Sequence, residues 1–270
     1  MKLPTESQSA PPSRRFRVLL VTQDEPFHIP FSLRSFFRRL DRKTVNIVAM
    51  VVLAPMNKNL WELASRMFFF LGPIGFVRRG VAYLVLQLLE RLGLTWRWPK
   101  ALAKRNGVEI LNISSVNSTA LIEFIERERI DVLASISCPQ VLRPRTLQAP
   151  SWGCLNVHSG RLPKYRGLMP CFWAMYNGEQ TVGVSVHTMV EAIDGGKIVR
   201  RADVAIRSTD SWDRVVRACK VVGGELMAEA LGQIANGEET LEEQEGEGAY
   251  FSFPSRSDAR EMRRRGRRIL

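Results

Sequence analysis

Short apolar runs alternate with amphipathic segments over the first half of the chain, and each change of pattern predicts an element of secondary structure. Runs rich in branched residues, bounded by polar or turn-forming residues, predict buried strands at 16–22, 45–53, 108–113 and 131–137. Apolar positions at helical spacing predict helices at 32–40 and 118–128. Strands separated by helices favour a Rossmann-like α/β fold, with a mostly parallel, twisted sheet and helices on both faces.

The second half of the chain has shorter apolar runs and more turn-forming residues. The pattern predicts strands at 154–158, 182–188 and 198–206, a helix at 170–177, and a long amphipathic helix at 211–236 that Ser211 caps. Before the last strand, Gly195 and Gly196 predict a loop whose backbone takes positive φ angles. Ligands bind such sheets beyond the carboxyl ends of the strands, so we expect a site in the segments after Thr22 and Ser137.

An apolar insertion at about 57–93 interrupts this alternation. Its two arms, 67–77 and 80–89, are each shorter than the roughly 20 apolar residues of a membrane-spanning helix, and Gly72 and Pro73 predict a break between two short helices. Three interpretations stay open for these helices. They form a buried subdomain or dimer surface, they lie in a membrane interface with flanking arginines at the headgroups, or they form a membrane hairpin.

The composition indicates a globular protein of the cytoplasm. The chain has 270 residues, of which 45% are hydrophobic, which is enough for one large domain with a core and excludes a disordered chain. The four cysteines include no C-x-x-C pair, which excludes a zinc knuckle or a disulfide framework and indicates a reducing compartment. Residues 1–15 have no signal-peptide core and predict a disordered leader, followed by an α/β domain at 16–206.

Positive charge is concentrated at the carboxyl end of the chain. The formal net charge is +12, and residues 250–270 contribute +5, from seven arginines against Asp258 and Glu261. We therefore expect 207–270 to form a helix and a basic tail. The tail is a solvated end or a docking segment for anionic lipid, and nucleic acid ranks lower because no interleaved aromatic residues accompany it.

The chain has three histidines, and the neighbours of one of them in the sequence indicate a catalytic role. For His28 and His187, a structural role is the safer interpretation. His158 ends a predicted strand, and the period of two places Asn156 on the same face. With Asp194 from the Gly-flanked loop, these residues suit acyl transfer to an amine: the amide and imidazole hold an oxyanion, and the carboxylate orients the imidazole and handles the proton of the amine. The sequence shows no cluster of metal ligands.

The amino-acid sequence around these residues resembles that of a known family. Residues 155–168 (LNVHSGRLPKYRGL), followed by IDGG at 193–196, resemble the formyltransferases that use 10-formyltetrahydrofolate, and the likeness runs from about 131 to 206. It implies that Asn156, His158 and Asp194 are the catalytic triad, with attack of a primary amine on the N10-formyl carbon through a tetrahedral oxyanion and no metal. It also implies a set of residues around the pterin ring of this co-substrate: Pro139, Gln140, Val141, Leu142, Val190 and Glu191.

The sequence departs from the family pattern at two places. Ser159 and Gly160 follow the histidine, with Arg161 in place of a common leucine, and Cys138–Pro139 replaces a more usual pair. These departures leave the shape of the loop open.

Among formyltransferases the chain is most similar to those that formylate amino sugars on nucleotide or lipid carriers for surface glycans. About 60 residues follow residue 206, which is too few for the barrel domain of the enzymes acting on initiator tRNA, and TQDEPFHIPF stands where the ribonucleotide enzymes have a glycine-containing phosphate loop. Candidate acceptor-binding residues are Asp24, Lys164 and Arg166.

Other functions and partners stay open. A formyltetrahydrofolate hydrolase, a transformylase of another small amine such as a ribonucleotide, and a non-catalytic folate- or nucleotide-binding relative are alternatives. A homodimer, and peripheral membrane contact through 60–92 and the basic tail, are the other partner hypotheses.

Overall fold

The computed structural model describes residues 14–55 and 60–270, and in that part of the chain the strands form one large sheet and one small one. The large sheet contains β1 (Phe16–Gln23), β2 (Val45–Leu53), β3 (Glu109–Leu111), β4 (Val132–Ile136), β5 (Gly153–His158), β7 (Thr181–Thr188) and β8 (Ile198–Ala205). Their order is β3-β2-β1-β4-β5-β7-β8, parallel as far as β5 and antiparallel from there to β8. The predicted α/β class is confirmed.

Helices cover both faces of the large sheet. They are α1 (Ile29–Arg39), α3 (Pro99–Arg105), α4 (Thr119–Arg127), α5 (Pro144–Gln148), α6 (Pro170–Tyr176) and α7 (Trp212–Asn236), while α2 (Leu60–Arg91) lies outside this layer. On β1, Val18 and Leu20 join one hydrophobic cluster, with α1 and α7, while Leu19 and Val21 join the other, with α4. Because both faces of β1 are buried, its sequence is a continuous apolar run rather than an alternating one.

Two element boundaries differ from the sequence prediction, and one predicted helix cap is confirmed. Helix α1 begins at Ile29, three residues before the predicted start, because the Glu25 carboxylate accepts hydrogen bonds from the backbone N–H groups of the preceding turn, including that of Ile29. Ser211 caps α7 as predicted, since its hydroxyl accepts from the Arg214 N–H at 3.3 Å. The strand predicted at 108–113 is shorter in the structure, where β3 spans Glu109–Leu111.

The apolar insertion is a long helix with one break. The backbone of Gly72 is non-helical, with φ 76° and ψ 166°, and Pro73 follows it inside α2. The predicted break at these two residues is confirmed, while residues 57–59 of the insertion lie outside the described part. By length and composition, the stretch Ala64–Arg91 is sufficient to cross a membrane, and 11% of its most apolar window is buried.

The expected basic tail is folded rather than solvated. Strand β9 (Tyr250–Phe251) pairs with β6 (Arg166–Gly167), and α8 (Arg256–Arg264) follows it. The side chains of Ala259, Met262 and Ile269 are buried in the core, so apolar residues between the arginines anchor this segment. Residues 1–13 of the expected leader lie outside the described part, and Arg14 pairs with Asp131 at 2.6 Å.

Candidate active site

A cavity of about 500 Å³ lies at the carboxyl ends of the central strands. It is lined by Gln23 at the end of β1, by residues that follow β4, and by the end of β5. This is the edge of the sheet that the strand pattern predicts for a ligand. The cavity lining includes Asn156, His158 and Asp194, so folding brings these side chains together.

Strand register holds the amide of Asn156 in one orientation. Ser135 on β4 and His187 on β7 are the cross-strand neighbours of Asn156 on β5. The Ser135 hydroxyl donates to Asn156 Oδ1 at 2.8 Å, and Asn156 Nδ2 lies 3.3 Å from His187 Nε2. An amide nitrogen carries two hydrogens, so one N–H donor of Asn156 remains for a ligand in the cavity.

The imidazole of His158 is 6% exposed, and both of its nitrogens have neighbours. Nε2 lies 2.5 Å from the carbonyl oxygen of Tyr165, which can only accept, so Nε2 carries a hydrogen. Nδ1 lies 3.5 Å from Asp194 Oδ2. Burial lowers the pKa of His158 despite the opposing charge of Asp194, which favours a neutral imidazole.

The carboxylate of Asp194 is fixed on two sides. Its Oδ2 accepts from the Gly167 N–H at 2.8 Å, and its Oδ1 lies 3.5 Å from His187 Nε2. Burial alone would raise the pKa of Asp194, but the contact with His187, the proximity of His158 and the Gly167 N–H outweigh it and lower the pKa to about 2. Asp194 is therefore a negative charge at neutral pH.

The glycines beside these residues are needed because a side chain would clash there, and not because their backbone takes positive φ angles. The predicted positive φ at Gly195 and Gly196 is wrong, because the left-handed residue of this turn is Asp194, with φ 51°. A Cβ on Gly196 would overlap the carbonyl oxygen of Thr188, which explains the second glycine. Likewise, a Cβ on Gly160 would lie 2.6 Å from His158 Nε2, so the departure from the family pattern after the histidine leaves room for the imidazole.

The residues expected around the pterin ring also line the cavity. They are Pro139, Gln140, Val141, Leu142, Val190 and Glu191. Leu142 is buried, whereas Val141 and Val190 are 64% and 48% exposed. The side chain of Gln140 is engaged with the backbone of Ser114 and Val116, each at 2.9 Å, so it holds the cavity wall and leaves main-chain groups for a ligand. An apolar slot with fixed backbone polar groups fits a flat heteroaromatic ring.

The three candidate acceptor-binding residues are outside the cavity lining. Lys164 is exposed and pairs with Glu179 at 2.6 Å, and Arg166 donates to Gln244 Oε1 at 2.7 Å. Asp24 has its Oδ1 buried without a hydrogen-bond partner in the described structure, and burial raises its pKa.

Two residues that sequence reasoning missed belong to the cavity lining, and a third supports it. His187 lines the cavity beside Asn156, and its alternation with Ser185 on β7 was the available signal. Lys220 reaches in from α7 and donates to the Ser137 hydroxyl, and burial lowers the pKa of its ammonium. Gln244 donates to the carbonyl oxygens of Asp194 and Gly196, both at 2.7 Å, and so ties down the turn.

Backbone strain is concentrated around the cavity. Four described residues other than glycine have positive φ, and three of them, Ser137, Met169 and Asp194, line the cavity. Such conformations persist where the surrounding structure enforces them, as it does at ligand sites. In 14–55 and 60–270, no group of three His, Cys, Asp or Glu side chains could hold a metal ion.

Comparison with known proteins links this site to one family. The formyl transferase profile matches residues 95–231. The methionyl-tRNA formyltransferase of Thermotoga neapolitana is 32% identical over 153 residues, 57% of this chain and 49% of that protein. The chain thus spans about half the length of the curated relatives it matches.

Solved structures share the fold at low sequence identity. Glycinamide ribonucleotide transformylase 1 of Symbiobacterium toebii matches with a TM-score of 0.58 at 17% identity, over 86% of this chain and 95% of that one. An N-formyltransferase of Helicobacter canadensis, in complex with folinic acid and dTDP-3-aminofucose, matches with a TM-score of 0.55 at 17% identity, over 88% and 71%. Since the family profile covers half of its length, this chain belongs to the formyl transferase family.

Proposed function

We propose that this protein transfers a formyl group from 10-formyltetrahydrofolate to a primary amine, and that the amine belongs to an amino sugar on a nucleotide or lipid carrier. The observation that carries the proposal is that Asn156, His158 and Asp194 lie at one edge of the cavity, each with a polar atom within 3.5 Å of another member of the set or of their shared neighbour His187. Family membership supplies the reaction class.

The cavity is suited to the donor in size and chemistry. A volume of about 500 Å³ falls in the range of small-molecule sites. Val141 and Val190 offer exposed apolar surface for a ring, and the segment 139–142 offers main-chain groups for its polar edge. When bound, the folate supplies the formyl carbon. A bond forms from that carbon to the amine nitrogen, its bond to N10 breaks, and a proton passes from the amine to N10.

The three polar side chains have separate tasks in this reaction. The free N–H of Asn156 would hold the negative charge that develops on the formyl oxygen. The neutral His158 has one N–H, which faces the Tyr165 carbonyl, and it would become a second donor when the substrate takes the place of that carbonyl. The ionised Asp194 is a weak base, so its task is to stabilise the positive charge that develops on the attacking amine. Its charge, 3.5 Å from His158 Nδ1, would also stabilise a proton that this nitrogen takes up from the amine. His187 Nε2 lies 3.3 Å from Asn156 Nδ2 and 3.5 Å from Asp194 Oδ1, so this nitrogen accepts from the amide when the ring is neutral and donates to the carboxylate when it is protonated.

The identity of the acceptor is the finer part of the proposal. The segment TQDEPFHIPF, which stands where the ribonucleotide enzymes have a glycine-containing phosphate loop, supports an amino sugar over a ribonucleotide. Lys220 supports a phosphate-bearing carrier, because its ammonium lies in the cavity lining with a hydroxyl partner on Ser137. Lys220 is better placed for this task than Lys164 or Arg166, which are engaged with Glu179 and Gln244.

A screen of amine acceptors tests the proposal. The protein would be incubated with 10-formyltetrahydrofolate and a panel of amino-sugar nucleotides, lipid-linked amino sugars, glycinamide ribonucleotide and charged initiator tRNA. Mass spectrometry would detect acceptors that gain one formyl group. We expect the gain on an amino sugar. Formylation of the ribonucleotide or the tRNA alone would contradict the proposed amino-sugar acceptor but would agree with formyl transfer to an amine. If no amine gained a formyl group, the proposed formyl transfer itself would be contradicted.

A further inference from the structure

The second part of α2 carries a long apolar stripe on its outer surface. Six side chains of α2 and one just after its end recur at helical spacing and are between 48% and 85% exposed: Ile74, Val77, Val81, Leu84, Val85, Leu88 and Leu92. At 3.6 residues per turn they fall on one face of the helix. Continuous apolar surface of this kind marks a site of interaction with a membrane or another protein.

The opposite face of the same helix is fixed to the α/β domain. Arg79 donates to Asp213 at 2.6 Å, and its guanidinium lies 4.1 Å from the centre of the Phe27 ring. Before the break, Phe70 is buried with its ring 4.9 Å from that of Trp212. A helix anchored in this way cannot thread a bilayer without losing these contacts, so its outer stripe suits a surface rather than a span.

The borders of the stripe are basic and aromatic. Arg78 and Arg91 are exposed and, by helical geometry, lie at its two edges. Trp61 is 86% exposed near the beginning of α2, and Trp96 is 44% exposed beyond its end. Arginine and tryptophan are the residues that favour the headgroup level of a bilayer.

A second copy of the chain is a poorer partner for this face. It would bring arginine-bordered stripes together, and the acidic side chains of the described part of α2 are engaged elsewhere, since Glu62 pairs with Arg66 and Glu90 accepts from the Arg97 backbone. The net charge of +12 adds repulsion between copies. An anionic surface supplies the missing negative charge.

We propose that α2 docks this protein on an anionic lipid bilayer, with the stripe at the acyl boundary and its arginines among the headgroups. Phe70 of α2 packs on Trp212, which lines the cavity, so the bilayer would lie beside the wall of the candidate site. A lipid-linked acceptor is the corresponding substrate class, and this last step rests on the proposed function.

Vesicle flotation tests the docking independently of catalysis. The full chain would be mixed with vesicles of phosphatidylcholine alone or with added phosphatidylglycerol, at low and high salt. We expect flotation with the anionic vesicles, weakened by salt. The double variant Leu84→Glu/Leu88→Glu should lower binding at least tenfold, while Leu241→Glu, at another exposed leucine, should not.

Circular dichroism would verify that the variants are folded, and the double variant Arg78→Gln/Arg91→Gln should reduce the salt dependence of binding. Three results would overturn the docking: no flotation of the wild type, equal flotation of the Leu84/Leu88 variant, or a dimer that this variant dissociates without any vesicle binding. Flotation without formyl transfer would retain the docking and reject the proposed function.

Discussion

The candidate active site and the outer face of α2 depart from the ordinary distribution of side chains in opposite directions. Around the cavity, the polar side chains of His158 and Asp194 are only 7% and 10% exposed, and each has polar neighbours. On α2, apolar groups such as Ile74 and Leu84 are exposed, at 85% and 64%. Each arrangement lowers the stability of the isolated fold, since buried polar groups need partners and exposed apolar groups contact water.

The two regions differ in where their side chains find their contacts. The polar cluster is completed inside the molecule, by strand register and by the turn at Asp194, and leaves one N–H of Asn156 unused. The apolar stripe has its anchors inside the molecule, through Arg79 and Phe70, but its contact surface faces outward. The active site is thus marked by a single unused hydrogen-bond donor within a network whose other polar groups have partners. The docking surface is marked by a large area of apolar side chains that no described part of the molecule covers.

Removing the oxyanion donors is the largest expected effect. Asn156→Ala and His158→Ala should each lower kcat for formyl transfer by about 10²–10³-fold, because each removes a donor to the developing charge. Steady-state kinetics with the acceptor found in the screen measures this. Asn236→Ala, which deletes an exposed amide at the end of α7, serves as the control and should leave kcat unchanged.

The ionised Asp194 makes stability dependent on pH in the acid range. Its pKa is about 2 in the folded protein and near 3.8 otherwise, so its contribution is present above pH 4 and is lost as the pH falls towards 2. We expect wild type to exceed Asp194→Asn in free energy of unfolding by an amount that shrinks by about 2 kcal/mol over this interval. Denaturant unfolding of both proteins measures it, and a constant difference would contradict an ionised Asp194.

Lys220 should affect binding of an anionic acceptor more than folding. Lys220→Met keeps an unbranched side chain, one atom shorter, and removes the charge. KM for a phosphate-bearing acceptor should therefore rise about tenfold or more, which corresponds to the loss of one charged hydrogen bond. The free energy of unfolding should not fall, since a buried ammonium without a paired carboxylate contributes little to stability. An unchanged KM would place the phosphate elsewhere.

Gln244 supports the turn without touching the reacting atoms, so its removal is the smallest expected effect. Gln244→Ala deletes the donor to the carbonyl oxygens of Asp194 and Gly196 and should lower kcat by about threefold to tenfold. Gln244→Glu, which retains an acceptor for Arg166 but not the donor, should behave like the alanine variant. Full activity of the glutamate variant would assign the role of Gln244 to Arg166 instead.

The local pattern of apolar and polar residues was sufficient to predict most strands of the large sheet and about half of the residues in the candidate site. The apolar run of β1 and the cap at Ser211 carry their own signals, and alternation along β5 pairs Asn156 with His158. Cross-strand contacts have no such signal: alternation places His187 on one face of β7, but its contact with Asn156 depends on the antiparallel register of β5 and β7.

Long-range contacts account for the remaining differences. Lys220 reaches the cavity from a helix whose rotation is set by packing, and Gln244 lies in a segment without periodicity. Arg166 resembled a phosphate ligand in sequence because its partner, Gln244, is 78 residues away. Met262 and Ile269 stand among arginines in the sequence, and their burial depends on contacts with distant parts of the chain, so the sequence did not indicate it.

The fate of the formyl carbon tests formyl transfer most directly. Donor labelled with ¹³C in the formyl group would be incubated with excess enzyme and the acceptor panel, and NMR would follow the label over a single turnover. Transfer at the Asn156, His158 and Asp194 cluster predicts the label in a new amide, formed only when amine is present and suppressed in Asn156→Ala. Label that appears in free formate at the same rate with or without amine would contradict transfer and identify a hydrolase.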